Sequence, residues 1–87
     1  VRTSLFRLEA DHPGRLIEVR VPPFGAVQIG APGVSSVHTR GTPPNVVETD
    51  AATWLALAAG TLTWPDARAR HLVRASGAHA DLGALLG

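Results

Sequence analysis

The chain is expected to fold as one α+β domain, and three observations carry that expectation. Apolar and polar residues alternate in several short runs separated by proline or glycine, the pattern of half-buried strands. Apolar residues recur at spacings of three and four near the start, after Asp50 and at the end, the pattern of helices. The helical runs are grouped rather than interleaved with each strand, which argues for segregated helices and a hairpin-rich sheet. The element order reads α-β-β-β-β-α-α-β-α. At 87 residues the chain suffices for a single domain with a thin core.

Residues 1–12 read as a helix. Val1, Leu5 and Leu8 share one side, while Arg2, Arg7, Glu9 and Asp11 take the other. Pro13-Gly14 stops it. A strand from Ser4 to Ala10 is the alternative. Between residues 15 and 21, Ile17, Val19 and Val21 point one way and Glu18 and Arg20 the other. Pro22 and Pro23 end that strand, since neither can donate to a ladder. A second strand over 25–30 points Val27 and Ile29 inward, and the short link makes a hairpin. After the turn at Ala31-Pro32-Gly33, a third and more polar strand is expected over 34–40, suited to a sheet edge. The stiff turn Gly41-Thr42-Pro43-Pro44-Asn45 leads to a fourth, with Val47 inward and Glu48 outward.

Asp50 is the natural N-cap of a helix over 51–59, and Gly60 fits the position after its last turn. No charge interrupts 51–63. A helix apolar nearly all round is expected to be covered on more than one side, by the chain or by a ligand. Thr63, Pro65 and Asp66 then open a second helix that ends near Arg70. Residues 72–76 read as a fifth strand. A last helix is expected over 80–86, with Leu82, Leu85 and Leu86 on one face and Ser76 or His79 as candidate caps.

Composition narrows the function. The net charge is +1 and all eight basic residues are arginines, interspersed with seven acids. No basic stripe for nucleic acid results. No run approaches the ~20 apolar residues of a membrane span, and no leader pattern is visible. The chain starts at Val1 rather than Met, so its N-terminus is expected to be incomplete. With no cysteine there is no disulfide, thiolate metal site or thiol nucleophile. The expected location is the cytoplasm.

Catalytic patterns are missing. His12, His38, His71 and His79 fall into no metal-ligand spacing, no Gly-x-Ser-x-Gly elbow occurs, and no phosphate-cradling glycine loop is present. Asp50, Asp66 and Asp81 each stand at a helix start, where capping is their ready task. Arg68, Arg70, His71 and Arg74 form a local basic cluster that reads as a solvated face. Arg40 and Asn45 flank the double-proline turn and are candidate polar contacts for a ligand or partner, although Asn45 can also close a turn on its own backbone. Trp54 and Trp64 each bring roughly 200 Å² of apolar surface. They suit a core, or the wall of a pocket between the sheet and its helices.

Three stretches carry a resemblance: VRVPPFGAVQ (19–28), HTRGTPPNVVETDAATWLALAAGTLTW (38–64) and RASGAHADLGALL (74–86). Through them the chain resembles the sterol carrier protein domain family, in its small bacterial branch. Asp50, Leu55, Leu57, Gly60, Leu62, Ala67, Val73, Gly77 and Leu82 occupy the family's fold-determining places. The resemblance implies a five-stranded sheet covered on one face by short helices, spanning residues 1–87 as one domain. It also implies a non-enzymatic carrier that holds a small apolar or fatty-acyl ligand between sheet and helices. The lining residues by that analogy are Val27, Ile29, Trp54, Leu57, Leu82, Leu85 and Leu86. The short turn after the second strand and the short helices argue against a sterol-sized cavity. The other reading is an accessory protein-interaction domain with a filled core, similar to the C-terminal domain of thiol-dependent isomerases resembling maleylpyruvate isomerase. No cofactor or metal is expected on either reading.

Overall fold

A computed structural model of the chain describes residues 1–31, 33 and 45–86. The described elements run α1 (Arg2–Asp11), β1 (Ile17–Val21), β2 (Gly25–Ile29), β3 (Asn45–Thr49), α2 (Ala51–Ala59), α3 (Trp64–Ala69), β4 (Val73–Ser76) and α4 (Gly83–Leu86). They form one four-stranded sheet in the order β2-β1-β3-β4. The α+β class is as expected, but the count of five strands and the full element order are not matched. The strand expected over 34–40 and the turn at 41–44 lie outside the described residues. The sheet itself limits where another strand could go. β1 pairs antiparallel with β2 and parallel with β3, and β3 pairs antiparallel with β4. Both central strands therefore already have two neighbours, and only the edges at β2 and β4 remain. The β1–β2 hairpin is as expected, and the parallel β1–β3 pair adds a pairing outside the hairpin-rich pattern.

One face of this sheet is oily because of the period-two pattern. Ile17, Val19, Val21, Val27, Ile29 and Val47 are all buried. Their alternates Glu18, Arg20, Gln28 and Glu48 lie on the other face, where Glu18 accepts a hydrogen bond from Arg20. The helices cover the oily face. α1 lies against β2 and sends in Leu5 and Leu8, and α2 sends in Trp54 and Leu57. Trp64 and Ala67 enter from α3, and Ala80 and Leu82 from the segment before α4. All belong to one core cluster. Where the chain leaves α1 it packs on the end of β2. Gly30 donates its N–H to the His12 carbonyl at 2.8 Å, and a Cβ at Gly30 would stand 2.5 Å from the Pro13 carbonyl oxygen. Only glycine fits there.

α2 differs from its expectation. It is buried on one side alone, through Thr53, Trp54 and Leu57, while Ala52, Leu55, Ala58 and Ala59 are exposed. The outward residues are apolar but mostly alanine, which exposes little surface. Both helix ends follow the chemistry read from sequence. The Asp50 carboxylate accepts the Thr53 N–H at 2.7 Å, and Gly60 closes the helix in the left-handed region at φ 78°. α3 is capped by the Thr63 hydroxyl, which accepts the Asp66 N–H at 3.3 Å. It ends through His71, which takes the left-handed conformation at φ 55°. The final helix is shorter than expected, because a bend, a turn and irregular chain fill residues 77–82. Amides there find partners outside any helix: the Asp81 N–H donates to the His79 carbonyl at 2.9 Å, and the His79 N–H donates to Asn45 Oδ1. Asp81 Oδ1 accepts the N–H of Gly83, the first residue of α4, at 2.8 Å.

The Asp50 cap has a pH signature. Hydrogen bonds from Thr53, its backbone N–H first, hold the Asp50 carboxyl below the usual carboxylate range. A folded-state pKa below the unfolded one contributes stability above the unfolded value and loses it as pH falls through the folded value. Asp50→Ala is expected to cost about 1 kcal/mol at pH 7. Asp50→Asn should keep most of the cap while flattening the loss of stability below pH 4. Urea melts of the three proteins across pH 3–7 check both outcomes.

Candidate functional site: apolar grooves at the helical seams

The core between sheet and helices is filled. Trp54 is 1% exposed, and Ile17, Val19, Ile29 and Val47 are fully buried. The open apolar spaces lie instead where the helices meet each other. One groove, of about 430 Å³, runs between α1, α2 and α4. Trp54 and Leu8 border it, Leu55 and Ala58 form one bank, and Leu85 and Leu86 form another. α1 adds a polar bank of Thr3, Ser4, Arg7 and Asp11. A second groove, of about 520 Å³, lies between the end of α2, the start of α3 and α4. Its walls include Leu57, Leu62, Trp64, Pro65 and Leu86. Leu86 borders both.

Local sequence sets these walls. Leu55 and Ala58, three residues apart, fall on the uncovered side of α2, and Leu57 and Trp54 on the covered side. Gly60 turns the chain sharply so that Leu62 and Trp64 lie beside Leu57. Leu82 is buried and anchors the last helix, while Leu85 and Leu86 are half-buried beyond it. Gly83 lets this segment approach α3 closely, since a Cβ there would stand 3.3 Å from Trp64 Cδ1.

The polar end of Trp54 is also fixed. Its indole N–H donates to Ser4 Oγ at 2.7 Å, and the Ser4 hydroxyl donates to the Val1 carbonyl at 2.8 Å. The ring cannot swing without stranding a buried donor. The Arg68 guanidinium sits 5.9 Å from the centre of the Trp64 ring.

The expected lining residues therefore separate into two groups. Trp54, Leu57, Leu85 and Leu86 border the grooves. Ile29 and Leu82 are packed in the core, and Val27 borders a polar hollow near Gly14 and Glu18. Of the polar loop candidates, Arg40 lies outside the described residues. Asn45 is 3% exposed, and both ends of its amide are hydrogen-bonded. Its Nδ2 donates to the Leu16 carbonyl and its Oδ1 accepts the His79 N–H, both at 2.9 Å. It closes no turn on its own backbone. It ties together segments 29 and 34 residues away. His12, His71 and His79 do not converge, and no cluster of metal-ligating side chains occurs among the described residues. Sequence reasoning missed Leu8, Leu55, Ala58 and Leu62 as walls. The signal for two of them was the i, i+3 pair on the outer side of α2.

Comparison with known proteins agrees with the resemblance read from the sequence. Residues 1–87 match the family described as bacterial SCP ortholog. No curated protein matches the chain. No helix among the described residues is long and apolar enough to cross a membrane.

Ser4 and Trp54 form a testable pair. Ser4→Ala strands the indole donor and is expected to cost about 1–3 kcal/mol. Trp54→Phe should cost less in the Ser4→Ala background than in the wild type, because no donor remains to be stranded. Equilibrium denaturation of the four proteins gives the coupling directly, and additive losses would contradict the bond.

Proposed function

The chain belongs to the bacterial SCP ortholog family, and from that premise we propose that it is a non-enzymatic carrier of a small apolar or fatty-acyl ligand. The observation that supports this reading is the pair of apolar grooves that share Leu86 as a wall. Both fall within the ~300–1,000 Å³ of typical small-ligand sites. The expected position between sheet and helices is modified here. A ligand lying on the sheet would have to displace Trp54, Leu57 and the buried valines, whereas one lying along the helical seams displaces only solvent. Trp54, Leu57, Leu85 and Leu86 keep their expected roles as walls, with Leu8, Leu55 and Leu62 beside them.

Each methylene taken out of water contributes about 0.8 kcal/mol, so affinity should rise with chain length until the groove is full. The delipidated protein is titrated with aliphatic alcohols and acids of increasing length, and with a sterol. Tryptophan fluorescence and native mass spectrometry report binding. Saturable binding of acyl ligands is expected, with the sterol weaker. Leu86→Asp, which places a charge on the wall that both grooves share, should reduce affinity at least tenfold. An absence of saturable binding by any of these ligands in the wild-type protein would falsify the carrier reading.

A further inference from the structure

We propose that two copies of this chain pair through the first groove, across a two-fold axis. The proposal does not rest on the carrier reading. The outer side of α2 is apolar and uncovered: Ala52, Leu55, Ala58 and Ala59 are exposed, and Leu55 keeps 48% of its surface in water beside the groove. Across the groove, α1 offers charge. Arg7 and Asp11 border it, both are exposed, and among the described residues neither joins a salt bridge.

The order of these residues identifies the occupant. Arg7 and Asp11 are four apart on α1, and Leu55 and Ala58 are three apart on α2, so the members of each pair lie one turn apart on one side of their helix. Each pair is complementary to itself when reversed. In a two-fold contact, residue i meets j of the second copy and j meets i. An axis that crosses the groove between the members of each pair lays α1 antiparallel to its copy, and α2 likewise. Arg7 then faces Asp11 of the second copy, twice over. Leu55 lies over Ala58 of the second copy, where the small side chain lets the two helices approach. A surface of one sign, such as an anionic membrane or a nucleic acid, would match only half of the α1 bank and would repel the other half. A second copy matches both halves.

Size sets the strength of this contact. Nine exposed or half-buried residues border the groove, and Ala52 and Ala59 extend the patch. That is about half of the 20–30 residues a side of a standard interface, which places the pair in the weak, reversible class. An apolar ligand in the first groove would compete with it.

Sedimentation equilibrium of the delipidated protein at low salt, up to about 1 mM, tests the proposal. The wild type is expected to dimerise with a Kd on the order of 100 µM, as suits so small an interface. Leu55→Glu should weaken the dimer at least tenfold. Arg7→Asp and Asp11→Arg should each do the same alone, because like charges then meet. Mixed one to one, those two variants should pair at least as tightly as the wild type, since an acidic bank then meets a basic one. All three positions are exposed, so each variant is expected to keep the wild-type Tm, which serves as the folding control. A monomer throughout the range overturns the proposal. So does a dimer that Leu55→Glu leaves unchanged, and so do two charge variants that remain monomeric when mixed.

Discussion

The buried amide of Asn45 is the constraint on which the arrangement of this domain depends. It sits at the first residue of β3, on the oily face of the sheet, where an unpaired amide would be costly. Both ends are paired, one with the start of β1 and the other with the turn before α4. The first bond lies beside the only parallel pair in the described sheet, so it fixes the β1–β3 register. A slip of one residue would turn Val47 outward and Glu48 inward. The second bond holds the chain end over the core, which lets Leu82 bury itself and brings Leu85 and Leu86 to the grooves. One side chain thus connects sheet register to the position of the candidate site.

The fold was legible wherever local chemistry decides local structure. Alternation identified β1, β2, β3 and β4, and the caps Asp50 and Thr63 and the stop at Gly60 stand where the residue types demand. What was not legible were relations across long separations. Nothing in the alternation of Ile17–Val21 and Asn45–Thr49 says that these strands run parallel and adjacent. Nothing local marks Asn45 as a long-range tie, since asparagine before a strand also suits a turn. The last helix was overestimated because the leucine spacing is helical from Leu82 onward, while the preceding amides find better partners in Asn45 and the local turns. The candidate site was legible only in part. Trp54, Leu57, Leu85 and Leu86 were named through the family resemblance, and the same resemblance names Leu82 and Ile29, which close the core.

That ambiguity has a physical source. Burial and ligand contact ask for the same residue types, so a sequence cannot separate a wall from a filling. The decision falls to volume. Trp54 has its indole N–H fixed by Ser4 and its ring surrounded by the core cluster, and so it fills the space between α2 and the sheet. The thin side of α2, where alanines stand in place of larger residues, is the side left open. Small residues there create the seam, and Leu55 and Leu86 make it apolar.

Groove geometry also bears on how tightly such a carrier can hold its cargo. A fully enclosed six-methylene chain would contribute about 5 kcal/mol from transfer alone. An open seam buries only part of each methylene, and association costs take a further share. On the carrier reading, tail contacts along such a seam would therefore give modest affinity and rapid exchange. A carrier needs release as much as capture, and an enclosed chamber slows both. With the tail held weakly, discrimination passes to whatever fixes the polar end.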